Sequence, residues 1–327
     1  MITPSGGIEP HLGASTVGLP AGLVDTHVHT SPDLVPRLMS DREMALAAQQ
    51  AGYRAIVLKN HHGDTSVRAQ LAGAGLPSLK VFGGVVLNEH VTGGLNPSAV
   101  DTAARFGSRV VWFPTLTARN NVEYERRLGE HSADSARMLG PGQRGITVLR
   151  DGELSQSARD VLDTAAEHEL TVATGHLSGE EIQALVPAAR AAGVPQVLIT
   201  HPDHELIGLD VDAQRSLSAL DGVWFERVYL TTLPTSAGLE MDVLADAIRA
   251  VGAGSTVLAS DLGQAHNPSP VSGMATFFAA LEERGFDTDD ITMMAVHNPA
   301  RALRLSSVGE PNGPTDSAGL AGVRDAR

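Results

Sequence analysis

Eight short apolar runs rich in β-branched residues recur along this chain, separated by stretches of helical period. The runs are GLVDTHVH (22–29), RAIVLKN (54–60), LKVFGGVVLN (79–88), RVVWFPT (109–115), LTVATGH (170–176), QVLITHP (196–202), GVWFERVYL (222–230) and STVLASD (255–261). Helical spacing predicts helices over 41–51, 64–73, 97–106, 118–128, 156–168, 178–192, 212–220 and 238–251, then a pair over 269–284 and 288–303. A continuous apolar run is what a strand buried on both faces requires, and a helix between two strands returns the chain for parallel pairing. The pattern therefore predicts an α/β protein, a (β/α)8 TIM barrel in a single domain over 22–305, with a doubly wound sheet as the competing arrangement.

Local signals agree. Ser40 or Asp41, Ser155 and the SGEE stretch at 178–181 are helix starts, the last with a capping-box pattern. Gly52, Gly73, Gly107, Gly193 and Gly252 stand where helices should stop. FGG (82–84) and GGLNP (93–97) match no phosphate-binding fingerprint and read as turns before helices. Residues 129–154 break the pattern, with PGQRG (141–145) and RDG (150–152) suggesting a loop and a hairpin. Residues 1–21 form an N-terminal extension, and the aperiodic segment 306–327 is expected to be a disordered tail.

Composition narrows the chemistry. The chain is 42% hydrophobic but only 4% aromatic, so its core must be aliphatic. It has no cysteine, which excludes disulfides and thiolate ligands and leaves His, Asp, Glu and Lys for any metal or catalytic role. A formal net charge of −14 argues against nucleic acid or an anionic membrane as partner. No apolar stretch approaches the ~18 residues of a membrane span, and the first 22 residues lack a secretory pattern. A cytoplasmic protein acting on a small molecule follows as the expectation, and self-association, common among barrels, remains open.

Polar groups end the apolar runs. His27 and His29 close the first, Lys59 with His61 and His62 the second, His176 the fifth, His201 the sixth and Asp261 the eighth. In a parallel barrel the carboxyl ends of the strands share one face, where chemistry collects. Positions i and i+2 of a strand point the same way, so His27 and His29 aim at one point. Imidazoles with a carboxylate suit Zn²⁺, Mn²⁺ or Fe²⁺. Lys59 and His61 share one strand parity and His62 the other, so His61 and His62 cannot both face the same centre.

The HxH of the first run, single histidines ending the fifth and sixth, an aspartate ending the eighth and VHNPARALRL (296–305) together resemble the amidohydrolase superfamily across roughly 22–305. The resemblance implies that His27, His29, His176 and His201 bind a divalent metal, most simply zinc, and that Asp261 is both ligand and proton-transferring group. Binuclear members carry a carboxylated lysine or a glutamate on strand four. Strand four here offers neither, so Lys59 on strand two is the candidate bridge if carboxylated, and one or two ions remain open. The implied activity is metal-assisted attack of water on an amide, cyclic amide or lactone carbonyl.

The opening DTHVHTSPD is also similar to the polymerase-and-histidinol-phosphatase barrels, which makes a phosphoesterase the first alternative. A mononuclear decarboxylase of the amidohydrolase type and a non-catalytic metabolite-binding barrel are the others. His61, His62, Asn88, Arg119, Glu226 and Tyr229 lie at or beyond strand ends and are candidate substrate contacts. His204 and His266, in loops near the mouth, are weaker candidates.

Overall fold

The computed structural model describes residues 18–128 and 144–306. Strand one is Val24–His29, strand two Ala55–Lys59, and strand three has two segments, Lys80–Phe82 and Gly84–Val86. Strands four to eight are Val110–Trp112, Thr171–Ala173, Gln196–Thr200, Val223–Val228 and Thr256–Ala259. Consecutive strands pair in parallel all the way round. The ring closes where the Asp261 N–H donates to the His27 carbonyl and the His29 N–H to the Leu262 carbonyl, both at 2.8 Å. The eight runs thus form the expected parallel barrel.

FGG is the local correction to the sequence reading. It lies within strand three rather than in a turn. Lys80–Phe82 pairs with strand two, while Gly84–Val86 pairs with strand four. A Cβ on Gly84 would stand 2.3 Å from both the Trp112 ring and the Val110 carbonyl. Glycine is needed there for close approach, not for a turn.

Helices cover the outside. Ser40 caps Asp41–Gln50 and Ser178 caps Gly179–Ala191, each in a complete capping box with Glu43 or Glu181. The expected hairpin at RDG is present, with Leu149–Arg150 antiparallel to Glu153–Leu154. PGQRG falls partly outside the described residues, as do most of the N-terminal extension and the tail beyond Ser306.

Inside the ring, Val24, Val57, Val86, Val110, Trp112, Leu198 and Val257 pack with Ala300, Ala302 and Leu303. The closing helix Asn298–Ala302 is pinned across the amino ends of the strands. Asn298 Nδ2 donates to the Ala253 and Thr256 carbonyls, and Thr171 Oγ1 donates to the Ala302 carbonyl. One end of the barrel is therefore plugged, leaving the carboxyl end for a site. Among the described residues, no helix is long and apolar enough to cross a membrane.

Candidate metal centre

Strand one delivers its two histidines to a single point. His27 Nε2 lies 2.9 Å and His29 Nε2 3.0 Å from the same oxygen, Oδ1 of Asp261. All three side chains are buried, and their ligand atoms lie within 4.8 Å of one another. The closure of the ring explains the meeting, because the Asp261 backbone is hydrogen-bonded directly to strand one. Asp261 adopts φ +53° and His201 φ +31°. Both are left-handed conformations uncommon outside glycine and concentrated at functional sites.

Glu226 on strand seven sits behind His27. Its Oε2 is 3.2 Å from His27 Nδ1, and Thr26 Oγ1 donates to Oε1 at 2.5 Å. Thr26 and His27 are sequence neighbours, yet both reach one carboxylate. The pairing of strands one and two shifts register between Asp25 and Val28, which lets successive residues share the inner face. A carboxylate at Nδ1 holds that nitrogen as a donor and turns Nε2 toward Asp261, where it is the nitrogen placed to meet a cation. His176 is oriented in the same way. Asn121 Nδ2 donates to the Leu116 carbonyl and to Glu125, so its Oδ1 accepts from His176 Nδ1 at 2.8 Å.

A cavity of ≈140 Å³ opens beside this group, lined by His29, Lys59, His61, His176, His201 and His204 with Asp261. Leu206, Leu230, Thr231, Ser236 and Gln264 complete the wall. That exceeds several-fold the ~10–15 Å³ needed to admit one water molecule. Lys59 Nζ is 2.9 Å from His27 Nε2. His29 and His61 stack with ring centroids 4.9 Å apart, and His176 and His201 lie 5.2 Å apart. His176 and His201 share the cavity but fall outside the compact group of three.

Burial sets the protonation states. It holds His29, His61, His176 and His201 well below the ordinary histidine pKa, so these rings are neutral and keep a lone pair to offer. Burial also opposes a charged His27, but Asp261 and Glu226 outweigh it and raise that ring's pKa. For Asp261, burial is outweighed by the charge and hydrogen bonds of His27 and His29, and the carboxyl stays ionised. Burial pushes Lys59 down to about 8 against the pull of Asp261 and Glu226.

The donor set fits a divalent transition ion: two imidazole nitrogens and a carboxylate oxygen, with a carboxylate holding one ring from behind. Among the described residues, His29 Nδ1 and His201 Nδ1 are buried without a hydrogen-bond partner. If Glu226 positions His27, Glu226→Gln should weaken metal affinity by ~10–100-fold, read by competition against a chromophoric chelator. Unchanged affinity would make Glu226 a bystander.

The remaining sequence candidates divide. His61 faces the cavity, as its shared parity with Lys59 requires, whereas His62 turns to His90 at 3.1 Å. Asn88 is a scaffold. Its Oδ1 accepts from Thr115 N, Thr117 N and Thr117 Oγ1, and its Nδ2 donates to the His61 carbonyl and to Thr115 Oγ1. Arg119 is exposed at a helix start and does not line the cavity.

Tyr229 packs on Phe277 within the apolar layer, because strand seven ends at Val228 and the chain turns inward there. Glu226 supports His27 instead of lining the cavity. His266 is exposed. Sequence reasoning underrated His204, which lines the cavity, and missed Asn121. Neither had a stronger signal than its position just after a strand.

Solved structures with this architecture include an amidohydrolase from Pseudomonas aeruginosa, with TM-score 0.58 and 12% identity over 87% of this chain and 96% of that one. A lactonase from Listeria monocytogenes gives TM-score 0.55 at 12% identity, over 86% and 95%. A 2,6-dihydroxybenzoate decarboxylase, also determined from Rhizobium, gives TM-score 0.52 at 11% identity over 88% and 100%. At these identities the likeness is one of fold, and the fold is that of the amidohydrolase barrels. No curated protein matches by sequence. A model of a family of unknown function, DUF6282, matches residues 22–226, more than half of the chain, and the chain belongs to that family.

Proposed function

We propose that this chain is a metal-dependent hydrolase that opens an amide, cyclic amide or lactone bond of a small molecule. The observation that carries the reading is the convergence of His27 Nε2, His29 Nε2 and Asp261 Oδ1 within 4.8 Å beside a cavity at the carboxyl end of a closed barrel. Those three would hold the ion, with His176 and His201 as further ligands from the facing wall. A divalent cation, zinc first with manganese or iron as alternatives, supplies Lewis acidity that acidifies water and polarises a carbonyl oxygen.

The chain's own residues do the rest. Asp261, ionised between two histidines, takes the proton of the attacking water and passes it to the departing amine or alkoxide. Leu206 and Leu230 receive the apolar part of the substrate. Lys59 presents its amine to the same space, and one or two ions fit this reading. A cytoplasmic setting, a small-molecule substrate and no nucleic-acid partner accompany this reading.

The test is a panel of lactones, lactams and aryl phosphates offered to protein stripped by a chelator and then reloaded. Hydrolysis of a lactone or lactam that vanishes on stripping and returns with the metal is the expected result. Turnover confined to aryl phosphates would replace the proposal with a phosphoesterase. Turnover indifferent to the metal would remove it.

A second reading, non-oxidative decarboxylation, is favoured by the fold shared with the 2,6-dihydroxybenzoate decarboxylase. Release of CO₂ from 2,6-dihydroxybenzoate without consumption of water would select it.

A further inference from the structure

His204 differs from the other cavity histidines in what holds its ring. The Leu206 backbone N–H donates to His204 Nδ1 at 2.9 Å. A backbone N–H can only donate, so Nδ1 must be the bare nitrogen and the proton of the neutral ring must sit on Nε2. His27 and His176 are opposite cases. Their Nδ1 atoms donate to the Glu226 carboxylate and the Asn121 carbonyl oxygen, so Nε2 is the nitrogen left for a cation. One physical criterion, the partner at Nδ1, therefore separates rings prepared to ligate from a ring prepared to donate.

The His204 ring is also held in place. The His204 N–H bonds the His201 carbonyl at 3.1 Å, and the Ile207 N–H bonds the His204 carbonyl at 2.8 Å. His204 packs against His201 at 5.7 Å and Tyr124 at 6.0 Å between ring centroids. It lines the cavity, and among the described residues Nε2 has no hydrogen-bond acceptor. A rigid donor beside a candidate metal centre has one evident use. Fixed donors aimed at a carbonyl oxygen stabilise the negative charge that grows there during attack.

Resting on the hydrolase reading for its substrate class, we propose that His204 is a catalytic hydrogen-bond donor whose Nε2–H binds the substrate's carbonyl oxygen, and not a ligand of the cation. No proton need leave the ring. The bond to Nε2–H strengthens as the carbonyl oxygen gains charge and weakens again when the carbonyl reforms. The substrate must therefore present a carbonyl oxygen on the His204 side of the cavity. The HxxH spacing of His201 and His204 would then divide two jobs, ligation and donation, between neighbouring side chains.

Two measurements decide this, and the first needs no turnover. In protein labelled with ¹⁵N-histidine and loaded with Zn²⁺, long-range nitrogen–proton spectra should show His204 protonated at Nε2, unmoved by the metal. In the same preparation, metal content of His204→Phe should equal that of the unaltered protein. Metal bound at His204 Nε2, a proton on Nδ1, or loss of the ion in His204→Phe would overturn the inference.

The second measurement follows hydrolysis of dihydrocoumarin. The kcat of His204→Phe should fall ~100-fold or more, the scale of losing one such donor. His204→Gln, which keeps an N–H donor, should recover part of the loss, with KM little changed in both variants. A kcat for His204→Phe within about threefold of the unaltered enzyme would equally overturn it. Unaltered, metal-loaded protein that hydrolyses no carbonyl compound would instead overturn the hydrolase reading, while the spectra and metal content still judge the ring's tautomer and exclusion from the metal.

Discussion

Asp261→Asn should lower turnover by at least ~10³-fold while the barrel remains folded. The residue holds two positions at once. Its Oδ1 is the meeting point of His27 and His29, and its backbone joins strand eight to strand one. Asparagine keeps the size and the main-chain bond, so closure of the ring survives. It loses the negative charge that holds a cation and the base that accepts a proton, and general acid–base groups alone contribute ~10²–10⁴-fold. Circular dichroism should be unchanged and metal content reduced. Activity within tenfold of the unaltered enzyme would show that Asp261 neither ligates nor moves protons.

Trp112→Ala should cost ~3–5 kcal/mol of stability, the usual range for emptying a large aromatic from a core. Trp112 is fully buried inside the barrel, against Val57, Val86 and Leu198. It also forms the floor of the site. Its ring lies 6.3 Å from that of His27, and Lys59 Nζ stands 5.7 Å above it. Among the described residues its Nε1 has no hydrogen-bond partner, so Trp112→Phe sheds an orphaned donor along with volume and should cost much less. Urea unfolding at constant slope measures both. A loss below ~1 kcal/mol for the alanine variant would mean that the barrel interior collapses around the space and that the floor is not rigid.

Much of this was legible because periodicity and strand ends are local. The HxH spacing placed His27 and His29 on one side of a strand, and strand order placed Asp261 at the same end of the barrel. What escaped depended on contacts between distant segments. The register shift that turns both Thr26 and His27 to Glu226 has no marker in a single run of residues. Tyr229 looked like a mouth residue only while strand seven was taken to continue, and the turn at Val228 sends it into the apolar layer. FGG looked like a turn because the close approach of Trp112 cannot be seen from one strand. His204 was underrated because its tautomer depends on a backbone bond two residues away.

An anomalous-scattering map of crystals grown with zinc, recorded on both sides of the absorption edge, addresses the proposed centre itself. The structure predicts a peak within ~2–2.3 Å of His27 Nε2, His29 Nε2 and Asp261 Oδ1. A featureless map at that point, in crystals whose zinc lies elsewhere or nowhere, would contradict it.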